Sequence, residues 1–240
     1  MTKTPQNILN QIQGLDPDSF SDNDLDRANR YAQDLMAGLA KIRSYPQGVT
    51  IFGSACLPAQ SKWCKIAEQL GAELAYNGHT VITGGGPSIM EAANKGAYQA
   101  NGRSIGLNIQ LPHEQHLNPY VTDSVEFNYF FARKVMLTFS SKVFVFFPGG
   151  FGTLDELSEI LILMQEKKMP QMPLFLFGKT FWRDLDKFFK SKMLHQFKTL
   201  EPDALSIYKI TDDVNEIVEA ANQIGHIPID ENLYDRFTHA

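Results

Sequence analysis

The chain has 240 residues, 43% of them hydrophobic, with 22 basic against 27 acidic residues and a formal net charge of −5. That length suits one α/β domain with a substantial core. The absence of any basic block argues against a nucleic-acid or anionic-membrane surface and leaves a small molecule as the expected partner.

Residues 1–20 are polar, without hydrophobic period and without the apolar stretch of a signal peptide, and read as a flexible leader to a single domain over 21–240. From Ser21 onward, Leu25, Ala28, Ala32, Leu35, Met36, Leu39 and Ile42 fall on one helical face behind the capping residues of "SDND". This predicts an amphipathic helix that docks on its own domain, the preferred reading, or on a second subunit. Strands and helices then alternate: "VTIFGS", a helix over 61–76, "HTVITGGG", a helix through "SIMEAANKGAYQA", "RSIGLNIQL", "SVEFNYF", and the helix "ARKVMLTFS". The rhythm continues with "KVFVFF", a helix after Thr153, "MPLFLFG", a helix around "FWRDLDKFF", "LSIYKIT" and a last helix from Asp212. Near-continuous apolar strands predict an α/β, Rossmann-like, doubly wound and mainly parallel sheet with helices on both faces. Runs such as "VFVFF" and "ILILM" are too short to cross a bilayer. The two cysteines, Cys56 and Cys64, are too few for a disulfide framework and read as buried apolar side chains in a reducing cytoplasm.

In such a sheet, ligands gather at the carboxyl ends of the strands. Three glycine-bearing strand-to-helix corners qualify: "GSA" at 53–55, "TGGGPS" at 83–88 and "PGGFGT" at 148–153. Glycines at a helix N-terminus let backbone N–H groups approach an anion, and the helix dipole favours negative charge there, so a phosphate is the natural guest. The competing reading is that the glycines only make tight turns. Candidate ligand contacts are Ser54 in the first corner, Gly85 and Gly86 in the second, and Gly149, Gly150, Phe151, Gly152 and Thr153 in the third. G-x-G-x-x-G and G-x-x-x-x-G-K-[ST] are both absent from these corners, which disfavours hydride transfer and NTP hydrolysis and leaves a nucleoside monophosphate or sugar phosphate.

Thr153 and Glu156 fit a T-x-x-E capping box, the structural reading of that pair. Yet Asp155 and Glu156 put negative charge beside the proposed phosphate. Breaking an N-glycosidic bond passes through an oxocarbenium-like sugar, which a nearby carboxylate stabilises while orienting water.

"PGGFGTLDE", Pro148 to Glu156, matches the PGGxGTxxE motif of the LOG ("lonely guy") family, and "GGGPSIM" resembles its GGGxxGxM partner, with Ser88 where the family usually has glycine. The resemblance covers roughly residues 45–225. The family is the group of nucleoside 5'-monophosphate phosphoribohydrolases often mislabelled lysine decarboxylases. The resemblance implies hydrolysis of a nucleotide such as AMP, or a cytokinin riboside monophosphate, to free base and ribose 5-phosphate, with no metal or organic cofactor. It further implies that Glu156 is the catalytic carboxylate and Arg133 its partner, that Lys134 helps to hold substrate, that Gly149, Gly150, Gly152 and Thr153 cradle phosphate, and that Glu114 contacts substrate. A homodimer or larger dimer-based assembly is implied as well.

Read without the family, an Arg-Lys pair opening a helix opposes the dipole, and an anionic ligand would explain it, against a solvated charge pair as the alternative. Glu114 could equally sit in a polar loop. His79, His113 and His116 match no metal spacing and read as surface histidines. Phe127, Tyr129, Phe130 and Phe131 read mostly as core, with one ring near the base or a subunit contact. The alternative function is a non-catalytic module that binds a nucleotide or phosphate ligand on the same corners. An amino-acid decarboxylase would need pyridoxal phosphate on a lysine, for which no residue context is visible.

Overall fold

The computed structural model describes residues 20–42, 48–110, 117–139 and 141–224. Residues 1–19 of the leader, Glu114, His113 and His116 lie outside the described residues. Helix α1 runs Asp22–Ile42. Its start is a reciprocal cap in which the Asp24 N–H donates to Ser21 Oγ (3.3 Å) and the Ser21 N–H to Asp24 Oδ2 (3.2 Å). The elements β1 (Gly48–Phe52), α2 (Lys62–Tyr76), β2 (Thr80–Thr83), α3 (Ile89–Gln99), β3 (Ser104–Ile109) and β4 (Asp123–Phe127) follow. They are succeeded by α4 (Phe130–Phe139), β5 (Ser141–Phe146), α5 (Phe151–Gln165), β6 (Leu174–Phe177), α6 (Lys179–Phe188), β7 (Lys209–Thr211) and α7 (Val214–Ile224).

The seven strands form one sheet in the order β4-β3-β2-β1-β5-β6-β7, and every neighbouring pair is parallel. The chain winds outward from β1 in one direction to β4, crosses back through α4, and winds outward in the other direction from β5. The arrangement is Rossmann-like and doubly wound, and the reversal falls between β1 and β5. Alternate strand residues supply two cores. Phe52, Ile82, Leu107, Phe144 and Phe146 face α1, α4 and α5, while Val49, Ile51, Val81, Val143 and Val145 face α2, α3 and α7.

Several sequence expectations shift. The buried stripe of α1 centres on Asp34, Gly38 and Ile42, whereas Met36 is exposed. The helix has turned because Gly38 admits Met136 and Phe127, where a Cβ would collide with Met136, and because Asp34 is consumed in hydrogen bonds described below. Helix α5 starts at Phe151 with Gly150 as N-cap, not after Thr153. Phe127 is core, but Phe130 and Phe131 are exposed, since α4 begins at Phe130 and carries them around its outside. Cys64 is buried and Cys56 exposed, the latter sitting in the loop after β1. His79 is no surface histidine: it is buried, with Nε2 2.8 Å from Asn222 Oδ1, and ties the start of β2 to α7. The segment around "LSIYKIT" becomes a short 3-10 turn at Pro202–Ser206 before β7, and α6 continues into a π-helical stretch at Phe189–Gln196.

Candidate functional site

The three corners meet at the carboxyl ends of β1, β2 and β5, and the backbone of Ser54 links them. Its N–H donates to the Pro148 carbonyl (3.0 Å) and its carbonyl accepts from the Ile89 N–H (3.2 Å), which closes the first corner onto both others. The Phe147 N–H donating to Phe52 (2.9 Å) extends the β1–β5 pairing into the crevice.

The second corner is filled by the protein itself. Gly84 to Gly86 are buried. The Gly85 N–H donates to Thr83 Oγ1 (2.9 Å), and the Gly85 carbonyl accepts from both the backbone (2.9 Å) and the side chain (3.1 Å) of Asn118, which also reaches Gly86 (3.2 Å). Thr83 and Asn118 converge on Asn94 Oδ1 at 2.6 and 2.9 Å, a buried network that fixes the turn. Gly85 has φ +72°. Ser88 has φ +65°, in the region that favours glycine, which accounts for the glycine of the motif and shows that this chain carries a strained residue there.

The third corner is open. Among the described residues, no atom beyond the adjoining residues and the helix's own backbone lies within 4 Å of where a Cβ would sit on Gly150 or Gly152, and Phe151 is 92% exposed. The first intrahelical bond runs from the Leu154 N–H to the Gly150 carbonyl (3.1 Å), so the N–H groups of Phe151, Gly152 and Thr153 head the helix without helical acceptors. Thr153 is buried with its hydroxyl against Gly149, where a Cβ would meet it, so it supports the corner from beneath. The capping box is not formed, because Thr153 lies inside the helix and α5 has no side-chain cap.

Glu156, one turn into α5, is 9% exposed, and among the described residues its Oε2 has no hydrogen-bond partner. Burial pushes its carboxyl up to about 7, against the attraction of Arg133 and Lys134. Arg133, on α4, reaches the strand ends: Nε donates to the Leu107 carbonyl (2.7 Å) and a terminal nitrogen to the Gly84 carbonyl (3.3 Å). Burial lowers its pKa while Glu156 opposes that shift. A Cβ on Gly84 would occupy the place of the guanidinium, so the glycine that follows β2 makes room for the arginine of α4.

Lys134 turns to α5 instead, 3.0 Å from Asp155 Oδ2 and 2.8 Å from Glu159 Oε2. Burial alone would depress its ammonium, but these two carboxylates outweigh burial and raise its pKa. The structure therefore brings together Glu156, Arg133 and the open Gly150–Thr153 turn, with Ser54 beside them. Gly85 and Gly86 form a closed wall.

Sequence reasoning missed Asn94, Asn118 and Asp34. Asp34 is 5% exposed and accepts from the Asn128 N–H (2.7 Å), the Asn128 side chain (2.8 Å) and the Tyr129 N–H (3.0 Å), just before α4. It takes up the two N–H groups just before the helix that carries Arg133 and Lys134, while the carboxylates that act on this pair are Glu156, Glu159 and Asp155. Its only trace in the sequence is an acid on the inner side of an amphipathic helix. Among the described residues there is no cluster of three metal-ligating side chains, and no helix is long and apolar enough to cross a membrane.

A family model described as "Possible lysine decarboxylase" matches residues 90–221. An uncharacterized protein of Archaeoglobus fulgidus is 33% identical over 105 residues, 43% of this chain and 66% of that protein. A protein of Mycobacterium marinum named cytokinin riboside 5'-monophosphate phosphoribohydrolase is 30% identical over 108 residues, 44% of this chain and 58% of that protein. Each match spans less than two thirds of the relative's length. The solved structure of the molybdenum cofactor binding protein from Rippkaea orientalis superimposes with a TM-score of 0.54 at 26% identity, covering 74% of this chain and 94% of that one.

Proposed function

Because the chain belongs to the LOG family, whose model is described as possible lysine decarboxylase, we propose that it hydrolyses the N-glycosidic bond of a nucleoside 5'-monophosphate of the AMP or cytokinin riboside monophosphate type. The products are free base and ribose 5-phosphate. The observation that carries this reading is Glu156, a buried carboxylate with an oxygen unpartnered among the described residues, raised to about 7, one turn from an open helix start. A pure anion site gains nothing from such a group, whereas a reaction that builds positive charge on a sugar does.

In this mechanism the N–H groups of Phe151, Gly152 and Thr153 take the 5'-phosphate, which lays the ribose over the first turn of α5. Ionised Glu156 stabilises the cationic sugar and accepts a proton from the attacking water. The water oxygen bonds to C1', the C1'–N bond breaks, and its electron pair leaves with the base, which takes up through solvent the equivalent of the proton that Glu156 accepted. Arg133 favours the ionised form of Glu156, so activity rises as pH passes upward through about 7.

The decarboxylase reading needs a lysine that gives up its proton for a Schiff base. Lys134 does not fit, since Glu159 and Asp155 hold it charged. A binding module without catalysis is the second reading, favoured by the likeness to the molybdenum cofactor binding protein of Rippkaea orientalis. The test is incubation of the purified protein with AMP, GMP, CMP and UMP separately, following free base by chromatography, beside Glu156→Gln. Release by the wild type, reduced roughly 100-fold or more in the variant, is expected. No release despite a nucleotide-induced rise in melting temperature would select the binding module, and full activity of Glu156→Gln would remove Glu156 from the mechanism.

A further inference from the structure

We propose that Asp34 is a positioning residue for Arg133 and Glu156, and that α1, outside the segment matched by the family model, is part of the working apparatus of the site. The chain of contacts is continuous. The Asp34 carboxylate, buried in the α1–α4 interface, accepts three hydrogen bonds from Asn128 and Tyr129. The Tyr129 carbonyl in turn accepts from the Arg133 N–H (3.2 Å), so the residue Asp34 holds is the one on which the backbone of Arg133 rests. At its other end the guanidinium is pinned to Leu107 and Gly84. Both ends of the arginine are thus fixed, one by the sheet and one by α1, and from that place the guanidinium acts electrostatically on Glu156.

The α1 side of this joint is built for one register. Gly38 lets Met136 of α4 approach where a Cβ would block it, Tyr31 packs edge-on against Tyr129 with ring centroids 4.5 Å apart, and Arg30 Nε donates to the Tyr129 hydroxyl (3.2 Å). A helix that only covered apolar surface would have no need of a buried acid bonded to two consecutive backbone N–H groups. Neutralising that acid frees the first turn of α4, and a shift of about 1 Å in a charged partner is enough to change rate by roughly 100-fold.

Among the described residues, the charges that act on Glu156 are Arg133 and Lys134 from α4 and Glu159 and Asp155 from its own helix; Asp34 is not among them. Loss of the Asp34 charge would by itself lower the Glu156 midpoint, so a rise in an Asp34 variant reports displacement of α4. In its catalytic consequence the proposal rests on the hydrolase reading, but its structural core does not. The experiment is a pH titration by NMR of the full chain labelled with carboxyl-13C glutamate, Glu156 being assigned from the spectrum of Glu156→Gln, in wild type and Asp34→Asn, with kcat and KM for AMP measured alongside. In Asp34→Asn the Glu156 midpoint is expected to rise by roughly half a pH unit or more as Arg133 withdraws. The kcat is expected to fall roughly tenfold to 100-fold with KM nearly unchanged, because the phosphate turn on α5 is untouched. If Asp34→Asn does not fold, Asn128→Ala removes one of the three bonds and is expected to move both readouts in the same direction by less. A folded variant with an unmoved Glu156 titration overturns the proposal. If the midpoint shifts while the wild type releases no base from AMP, the positioning role stands and the hydrolase reading falls.

Discussion

The second and third glycine corners look alike as strings, "TGGGPS" and "PGGFGT", yet the molecule uses them in opposite ways. At Gly84 to Gly86 the absent side chains make room for the protein: the Arg133 guanidinium, Leu117 and the Asn118 bonds fill the space and the turn is buried. At Gly150 and Gly152 the absent side chains leave space that none of the described residues fills at the head of a helix. Glycine spacing alone does not distinguish close approach of the chain to itself from close approach to a ligand. What distinguishes them is whether the turn's own N–H and carbonyl groups already have partners.

Matched substitutions break this comparison if it is wrong. The largest effect is expected from Gly85→Ala, which combines a positive φ with a collision against Leu117 and should destabilise by about 3 kcal/mol, seen as a lower midpoint in urea. Next comes Glu156→Gln. The folded carboxyl titrates near 7 against an ordinary 4.5, so its contribution to stability is complete below about 4.5 and is lost as pH rises through about 7. The variant should therefore gain on the order of 3 kcal/mol over wild type at pH 8, with the gap closing towards pH 4 in paired denaturation curves. Ser88→Gly should relieve the backbone at the closed corner and stabilise by about 1 kcal/mol. The smallest shift is expected from Gly152→Ala, which improves helix propensity by up to about 1 kcal/mol. The same Cβ enters the open turn, so the rise in melting temperature produced by AMP should disappear. Gly85→Ala and Gly152→Ala thus have opposite signs on stability, and equal signs would dissolve the distinction between the two corners.

The sheet, its helices on both faces and the location of the three corners were legible because hydrophobic period and strand-terminal glycines are local signals. Glu156 stands in a motif and Arg133 was singled out by the family resemblance, but neither signal carries the burial that shifts both groups. What escaped was long-range and polar. Asp34 meets residues 94 and 95 positions away, and Asn118 meets Gly85 33 positions away. No local pattern announces either contact. The start of α5 was misplaced because T-x-x-E reads as a cap, whereas the exposed Gly150 takes that place and Thr153 is drawn under Gly149. The face of α1 was misjudged by about one residue because a glycine and an acid, both discounted in a hydrophobic count, are its most intimate contacts.

The backbone of Ser54 joins all three corners through one N–H and one carbonyl. Its amide proton, and that of Ile89, can be replaced by deuterium only when the corners part. Placed at the lip of a crevice, where exchange is ordinarily fast, these two positions time the opening of the cleft directly, and a ligand that bridges the corners slows them together.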